Sequence, residues 1–259
     1  MKKVFLLILL TIHLFGNTIE IAKDLFDNQE KYKETIEIFQ KFEDDAESQY
    51  YLGKAYFYGM GVEKDEKKAF EYAKKSADKN NSFGLNLLGL IYANGNDEIK
   101  AFEYFKKSVD LGNTKAMVNL STYYIRRKNF EEAKKWLNNA HDLGDLNATL
   151  ELAFFLSSTE IKNYKEAIVY YDIYMKSGSK MTSNIYYRMG STYEDISDYK
   201  KAYEFYVKSV ESGDKDSILS IIVLKDTNIL SDDEYLYWLK KGVESKLELA
   251  YLPLYKYKI

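Results

Sequence analysis

The sequence predicts an all-α protein, a right-handed superhelical solenoid of antiparallel helix hairpins. Three recurring landmarks indicate this fold. A Leu or Met followed by a small residue recurs at Leu52, Leu88, Leu120, Leu152 and Met189. An alanine follows in each unit, at Ala69, Ala101, Ala133, Ala167 and Ala202, and later units close on Gly112, Gly144, Gly178 and Gly213. An interval of about 32 to 37 residues is typical of hairpins that bury their apolar faces by stacking.

Residues 1–17 read as a signal peptide. Lys2 and Lys3 precede an apolar run from Val4 to Phe15, which is too short to span a bilayer. We therefore predict no membrane span after cleavage, and a periplasmic or secreted protein of a Gram-negative bacterium. An uncleaved inner-membrane anchor is the alternative, because the cleavage region near Gly16 lacks a clean Ala-x-Ala motif.

Residues 18–45 predict a degenerate N-terminal capping hairpin. The segment from Thr35 to Phe42 resembles the second helix of a unit, and the stretch from Lys23 to Glu34 is rich in charge. A terminal repeat needs such a polar outer face because no further repeat covers it.

The first full unit begins at Ala46. Apolar spacing predicts helices from Ala46 to Tyr58 and from Glu66 to Ala77. Between them lies the turn Gly59-Met60-Gly61-Val62. Glycine can end the first helix in a left-handed conformation, and Val62 can fill the gap between the helices.

Five such repeats are predicted over residues 46–215, followed by a divergent sixth repeat and a C-terminal capping helix over residues 216–259. Ser231 and Glu234 form a capping-box pattern in the sixth unit. The tail from Leu247 to Ile259 resembles a first helix without a partner, broken at Pro253.

The first unit carries a family pattern of Ala, Leu-Gly, Tyr, Gly-x-Gly-Val, Asp and Lys-Ala. It reads Ala46, Leu52-Gly53, Tyr56, Gly59 to Val62, Asp65 and Lys68-Ala69. This pattern resembles the Sel-one-like repeat (SLR) family, a relative of the tetratricopeptide repeat. Later units lose the glycine turn and resemble tetratricopeptide hairpins more closely.

Composition excludes several classes of site. The chain has no cysteine, so disulfides and thiolate metal sites are absent, and its net charge of −3 argues against nucleic acid as a partner. Neither a calcium loop nor a phosphate-binding glycine loop occurs. After signal cleavage His141 is the one histidine, and we interpret it as a helix-end or packing residue. We predict no catalytic residue, no metal and no cofactor.

The resemblance implies a non-enzymatic scaffold that binds a protein or peptide ligand as a monomer. Two alternatives stay open. Cysteine-rich SLR proteins of Helicobacter are associated with β-lactam or peptidoglycan-fragment binding and hydrolysis, so an enzymatic member of this family would be a β-lactamase-type hydrolase. The repeat-stapling cysteines of those proteins are missing here. A secreted effector that binds a host protein is the other alternative.

The resemblance to tetratricopeptide repeats also implies which residues face the concave groove. These are the residues two before and two after each Leu landmark, together with residues one turn later. The predicted partner-binding residues are Tyr50, Lys54, Phe57, Asn86, Thr122, Arg126, Phe154, Tyr187 and Ser191. For Tyr50, Leu150 and Phe154 the alternative is that the side chains belong to the core between repeats.

Overall fold

The computed structural model describes residues 18–29 and 31–250, so the predicted signal peptide lies outside the described residues. Helices joined by turns and loops make up these ranges, which contain no strand and confirm the predicted all-α class. It forms two compact units, one up to Ala140 and one from His141 onward.

In the first unit, residues 18–27 are helical and are called α1 here. The following helices are α2 (Tyr32–Lys41), α3 (Ala46–Tyr58), α4 (Glu66–Asp78), α5 (Ser82–Asn94), α6 (Glu98–Asp110) and α7 (Thr114–Arg126); most of α8 (Phe130–Asp142) also belongs to this unit. Helix α3 packs on α4, and α5 on α6, as the predicted hairpins require. We refer to α3, α5 and α7 as first helices and to α4, α6 and α8 as second helices.

The second unit continues the pattern with α9 (Leu146–Leu156), α10 (Tyr164–Lys176), α11 (Ser183–Asp195), α12 (Tyr199–Glu211), α13 (Ser217–Val223) and α14 (Asp232–Glu244). Helix α9 packs on α10, and α11 on α12, so α9 and α11 are first helices and α10 and α12 are second helices. These contacts confirm a solenoid of helix hairpins within each unit.

Side-chain and glycine caps fix the ends of the helices in the first repeat. Asp45 precedes α3, and its carboxylate accepts a hydrogen bond from the Ser48 amide at 2.8 Å. Helix α3 ends at Tyr58 and is capped by Gly59, whose φ of 73° is left-handed, and Gly61 follows with φ of 71°. Val62 then packs against the buried cluster of α1, α2 and α3, whereas the sequence predicts that it fills the gap between α3 and α4.

Atoms of the second helix fill the space beside the small residues of the first helix. A Cβ added at Gly53 would lie 3.1 Å from the Ala73 backbone nitrogen and 3.3 Å from the Ala69 carbonyl oxygen, so the two backbones approach closely. In the second hairpin the space beside Gly89 is filled instead by the Phe105 ring, at 2.5 Å from such a Cβ. The expectation of close helix approach therefore holds for Gly53, whereas Gly89 makes room for a ring.

In three of the hairpins, a serine of the second helix forms a hydrogen bond to the first helix. Ser76 donates a hydrogen bond to the Ala46 carbonyl at 2.6 Å, and Ser108 donates to the Ser82 carbonyl at 2.6 Å. Ser209 repeats this bond in the α11–α12 hairpin, to the Ser183 carbonyl at 2.9 Å. All three serines are fully buried, so each hydroxyl fixes the second helix to the first turn of its partner.

The N-terminal hairpin packs its rings onto α3. Phe26, Phe39 and Tyr51 are buried in one cluster, and the rings of Phe39 and Tyr51 stack with centroids 4.9 Å apart. This cluster covers the face of α3 that would otherwise lack a preceding repeat.

At the C-terminal end, the predicted capping box at Ser231 and Glu234 is present. Helix α13 is short and passes into a 3-10 turn over Leu224–Thr227. The predicted helix from Leu247 begins instead with a 3-10 turn over Glu248–Ala250, and residues 251–259 lie outside the described residues. Among residues 18–29 and 31–250, no helix is long and apolar enough to cross a membrane.

We expect Gly53→Leu to lower the free energy of unfolding by about 1 to 3 kcal/mol, because overpacking forces α3 and α4 apart. Gly95→Ala is the matched control, since a Cβ there meets no atom nearer than 3.6 Å. Thermal unfolding measures both. An unchanged midpoint for Gly53→Leu would show that the landmark alignment is wrong.

Replacing Ser108 by Ala should cost about 0.5 to 1.5 kcal/mol, because a buried hydrogen bond between two helices is lost. Ser212→Ala is the control, because that serine is exposed and its hydroxyl has no hydrogen-bond partner among the described residues. Equal urea midpoints for the two variants would contradict the role given to the buried serines.

Candidate functional site

The predicted partner-binding residues lie on the first helices, and several of them line surface pockets. Tyr50 lines one pocket of the first unit, and Thr122 and Arg126 line another. In the second unit, Tyr187 and Ser191 line a third pocket. Three- and four-residue spacing brings these side chains to one face of each helix.

The Tyr50 pocket has a volume of about 160 Å3. Its lining residues are Lys23, Asp27, Glu47, Tyr50, Tyr51, Phe83 and Lys115. The Tyr50 and Phe83 rings are 5.5 Å apart, and the Lys115 ammonium lies 5.7 Å from the Phe83 centroid. Burial raises the pKa of Tyr50 above its usual range, so the phenol stays neutral.

The Lys54 ammonium forms contacts within the protein. Its ammonium lies 2.8 Å from the Asp27 carboxylate and 5.2 Å from the Phe26 centroid. Tyr51 donates a second hydrogen bond to Asp27 at 2.6 Å. Lys54 therefore joins α3 to α1, and Lys115 is the cation at this pocket that forms no ion pair among the described residues.

The Arg126 pocket has an apolar floor and a polar rim, with a volume of about 120 Å3. Its lining residues are Leu90, Ala93, Glu98, Ala101, Phe105, Asn119, Thr122, Tyr123 and Arg126. Arg127 lies 3.7 Å from the Tyr123 centroid and 2.6 Å from the Glu98 carboxylate, which fixes both rim residues. Arg126 is exposed and forms no ion pair within the described part of the chain.

Asn86 and Asn119 join neighbouring first helices. The Asn119 amide nitrogen donates to the Asn86 amide oxygen at 2.8 Å, between α7 and α5. Asn86 is only 7% exposed. Asn86 is therefore a buried support for Asn119, and Asn119 lines the Arg126 pocket.

The Arg188 pocket is the largest of these three, at about 270 Å3. Its lining residues are Ser157, Asn184, Tyr187, Arg188, Ser191 and Thr192. Arg188 stacks on the predicted residue Phe154, with its guanidinium carbon 4.5 Å from the ring centroid. Phe154 is thus a support for the arginine at this pocket.

Other predicted residues have packing roles. Phe57 is half-buried and packs against the cluster that contains Ala73, Leu85 and Leu88. Tyr50 also packs against that cluster and against the preceding one, so it contributes to the core as well as to its pocket.

His141 has structural contacts. Its Nδ1 lies 2.8 Å from the Thr149 hydroxyl, and its ring meets the Tyr170 ring edge-on at 5.1 Å. Across the described residues, no group of three or more acidic or histidine side chains is placed to hold a metal ion.

Sequence reasoning missed Lys115, Asn119 and Arg188. All three lie on first helices, one or two turns before Thr122 or Ser191. Continuing the helical spacing backward from the two predicted residues would have found them.

The family comparisons match these hairpins. Residues 46–81, 82–113 and 114–145 each match the Sel1 repeat, and residues 183–212 match the tetratricopeptide repeat. No curated protein matches the chain at a significant level.

Solved structures show the same fold. A Sel1 repeat protein from Oxalobacter formigenes is 21% identical with a TM-score of 0.65, and the match covers 88% of this chain and 99% of that one. A protective antigen of uropathogenic Escherichia coli with an SLR fold is 20% identical with a TM-score of 0.64, over 91% of this chain and 55% of that one. The pilF protein of Pseudomonas aeruginosa is 17% identical with a TM-score of 0.63, over 82% of this chain and 96% of that one.

The contacts of Asp27, at the Tyr50 pocket, imply that the stability of the protein depends on pH. Desolvation opposes ionisation, but hydrogen bonds from Lys54 and Tyr51 outweigh it and hold the pKa of Asp27 below its usual range. The stabilisation is therefore present above the unfolded pKa and lost as the pH falls through the lower, folded pKa.

We expect Asp27→Asn to lower the urea midpoint at about pH 7 and to reduce the loss of stability between about pH 5 and pH 3. Asp24→Asn is the control, because that carboxylate lies on the same helix and accepts from Asn28 four residues on. If Asp27→Asn and Asp24→Asn respond to acid alike, the pairing does not contribute.

Proposed function

Because the chain carries three Sel1 repeats and a tetratricopeptide repeat on a helical solenoid fold, we propose that it is a non-enzymatic scaffold for a protein or peptide partner. Repeat scaffolds of this fold are typical of protein-interaction domains. The proposal places the partner on the concave face formed by the first helices, in the periplasm or outside a Gram-negative cell.

The observation that carries the proposal is that first helices, besides their buried residues, hold arginine and tyrosine side chains at pockets. Second helices direct residues such as Ala73, Phe105 and Ser108 into the hairpin, where they are buried. First helices present Arg126 and Arg188 at pockets without an ion pair among the described residues. Arginine and tyrosine with unused bonding capacity are the residue types that dominate binding energy at protein interfaces.

The chemistry of these surfaces fits an extended peptide or a protein loop. The Arg126 pocket combines the apolar floor of Leu90 and Phe105 with an amide and a guanidinium at its rim. An apolar side chain can occupy the floor while the rim bonds to the peptide backbone. A cavity of about 120 Å3 limits that side chain to a small or medium size.

The location rests on the N-terminal sequence. Two lysines followed by a short apolar run support export across the inner membrane. The absence of cysteine is compatible with an oxidising compartment, since no thiol is exposed to it.

The test is an affinity pull-down from envelope extract of the source bacterium, with the chain from residue 18 as bait. The test variant replaces Lys115, Arg126 and Tyr187 by Ala. Lys54 is left intact, because its loss would also weaken the packing of α1 on α3. We expect the partner of the wild-type bait to be lost by this variant.

The matched control replaces Lys67, Lys165 and Tyr199, which lie on second helices, by Ala. Lys67 and Lys165 are exposed, and all three changes leave the pockets untouched. Circular dichroism establishes that both variants fold. A partner that both variants retain, or that only the second-helix variant loses, would overturn the assignment to the first helices.

A further inference from the structure

The sequence holds three acceptor patterns for N-linked glycosylation, at Asn80, Asn119 and Asn147. Each asparagine stands two residues before a Ser or Thr, with no proline between them. We propose that Asn80 is a glycosylation site, which receives an oligosaccharide from a lipid-linked donor. This inference goes beyond the proposed function and takes from it the location outside the inner membrane, where such a transfer takes place.

The transfer needs an accessible amide and an accessible hydroxyl. The asparagine Nδ2 bonds to C1 of the sugar, the bond from C1 to the lipid pyrophosphate breaks, and the pyrophosphate leaves with that electron pair. The amide gives up one proton to a base of the transferase. The enzyme recognises the Ser or Thr by its hydroxyl, so a hydroxyl that is buried and bonded within the fold cannot serve.

Asn80 meets the first requirement. It is exposed in the turn between α4 and α5, with a left-handed φ of 56° that asparagine tolerates. Its side-chain amide forms no hydrogen bond with any described residue. The nucleophilic nitrogen is therefore accessible, and no side-chain contact has to be broken to reach it.

Ser82 meets the second requirement. It is the half-buried first residue of α5, and its hydroxyl is accessible and forms no hydrogen bond within the described part of the chain. Its carbonyl, by contrast, accepts the hydrogen bond from Ser108 at 2.6 Å. The transferase can therefore engage the hydroxyl while the contact between α5 and α6 keeps the helix in place.

The turn that carries Asn80 can open without disturbing the hairpins. The backbone amides of residues 79–81 bond to carbonyls in the last turn of α4. The Asn81 side chain accepts a hydrogen bond from the Gly84 amide at 2.9 Å. All of these bonds lie at helix ends, where local opening costs least, so the acceptor segment can enter the transferase while both helices stay packed.

Asp78 adds the acidic residue that bacterial oligosaccharyltransferases require two positions before the asparagine. It is exposed, and its carboxylate pairs with Lys74 on the same helix at 2.7 Å. Exposed ion pairs of this kind are weak, because water solvates both charges well. The carboxylate is therefore available to a cation of the enzyme.

The pattern at Asn147 also has an acidic residue two positions before it, but the fold blocks it. Thr149 is 1% exposed, and its hydroxyl donates to the Asp145 carbonyl at 3.1 Å. The Asp145 carboxylate is the N-cap of α9 and accepts from the Asn147 amide at 2.9 Å. Both recognition groups are thus used inside the folded chain.

The pattern at Asn119 lies within α7 and lacks the acidic residue. Its amide donates to Asn86 at 2.8 Å. Ser121 is 2% exposed, and its hydroxyl donates to the Val118 carbonyl at 2.7 Å. Of the three patterns, the one at Asn80 is therefore the acceptor that the folded chain presents.

The test incubates the folded chain from residue 18 with a purified bacterial oligosaccharyltransferase and a polyprenyl-pyrophosphate oligosaccharide. Intact mass gives the number of glycans, and peptide mapping gives their positions. We expect a single glycan on Asn80. A synthetic peptide of residues 143–152 presents the Asn147 pattern without the fold, and it should accept a glycan because its threonine hydroxyl is free.

Variants separate recognition from folding. Asn80→Gln should abolish the modification, and Ser82→Ala should lower occupancy by about tenfold or more, because a site that bonds a hydroxyl rejects the analogue without it. Ser82→Thr should retain the modification. Asp78→Asn should lower occupancy by about tenfold, because it removes a charge-assisted contact. Lys74→Gln is its matched control, since it breaks the same ion pair and keeps the carboxylate.

An unmodified Asn80, a glycan on Asn147 of the folded chain, or full occupancy in Ser82→Ala would overturn the inference. In the source bacterium, the chain recovered from the envelope should carry the glycan on the peptide that contains Asn80, and an unmodified peptide there would contradict the proposal. A chain recovered only from the cytoplasm would contradict the proposed location instead. The assay with purified enzyme would then still decide whether Asn80 is an acceptor.

Discussion

The structure depends on a match in size between the residues that face each other across the two helices of each hairpin. Where a first helix carries glycine, the second helix supplies either its own backbone, as Ala73 does beside Gly53, or a ring, as Phe105 does beside Gly89. Tyr206 fills the equivalent space beside Gly190. A side chain added to the glycine has no place to go, because protein interiors are packed to crystal density. This constraint explains why the landmarks recur in register along the chain.

The same constraint assigns different roles to the two helices. Second helices use small residues, rings and buried serines such as Ser76 and Ser108 to hold the hairpin together. First helices contribute their Leu-Gly face to that interface, and their opposite side chains are left for other contacts. Arg126 and Arg188 are examples within their respective units. These two arginines are separate from the buried contacts of the hairpins, which supports a scaffold whose surface can vary while its fold persists.

Sequence reasoning located the hairpins well because they follow from periodicity and small-residue landmarks. Helix α3 begins and ends at the predicted residues, and the capping box at Ser231 is present. The candidate site was harder to predict, since a helical spacing cannot tell which long side chains are already paired. Lys54 looked available but bonds to Asp27, which lies in the preceding hairpin. Arg188 was missed because its freedom depends on the Phe154 ring, a contact between two repeats.

Site-specific photo-crosslinking in the source bacterium tests most directly whether recognition belongs to the first helices. A benzophenone amino acid would be placed at Thr122 on α7 and, in a separate strain, at the exposed Lys67 on α4. The account predicts a crosslinked partner from Thr122 and none from Lys67. A crosslink from Lys67 with none from Thr122 would contradict it and place recognition on the second helices.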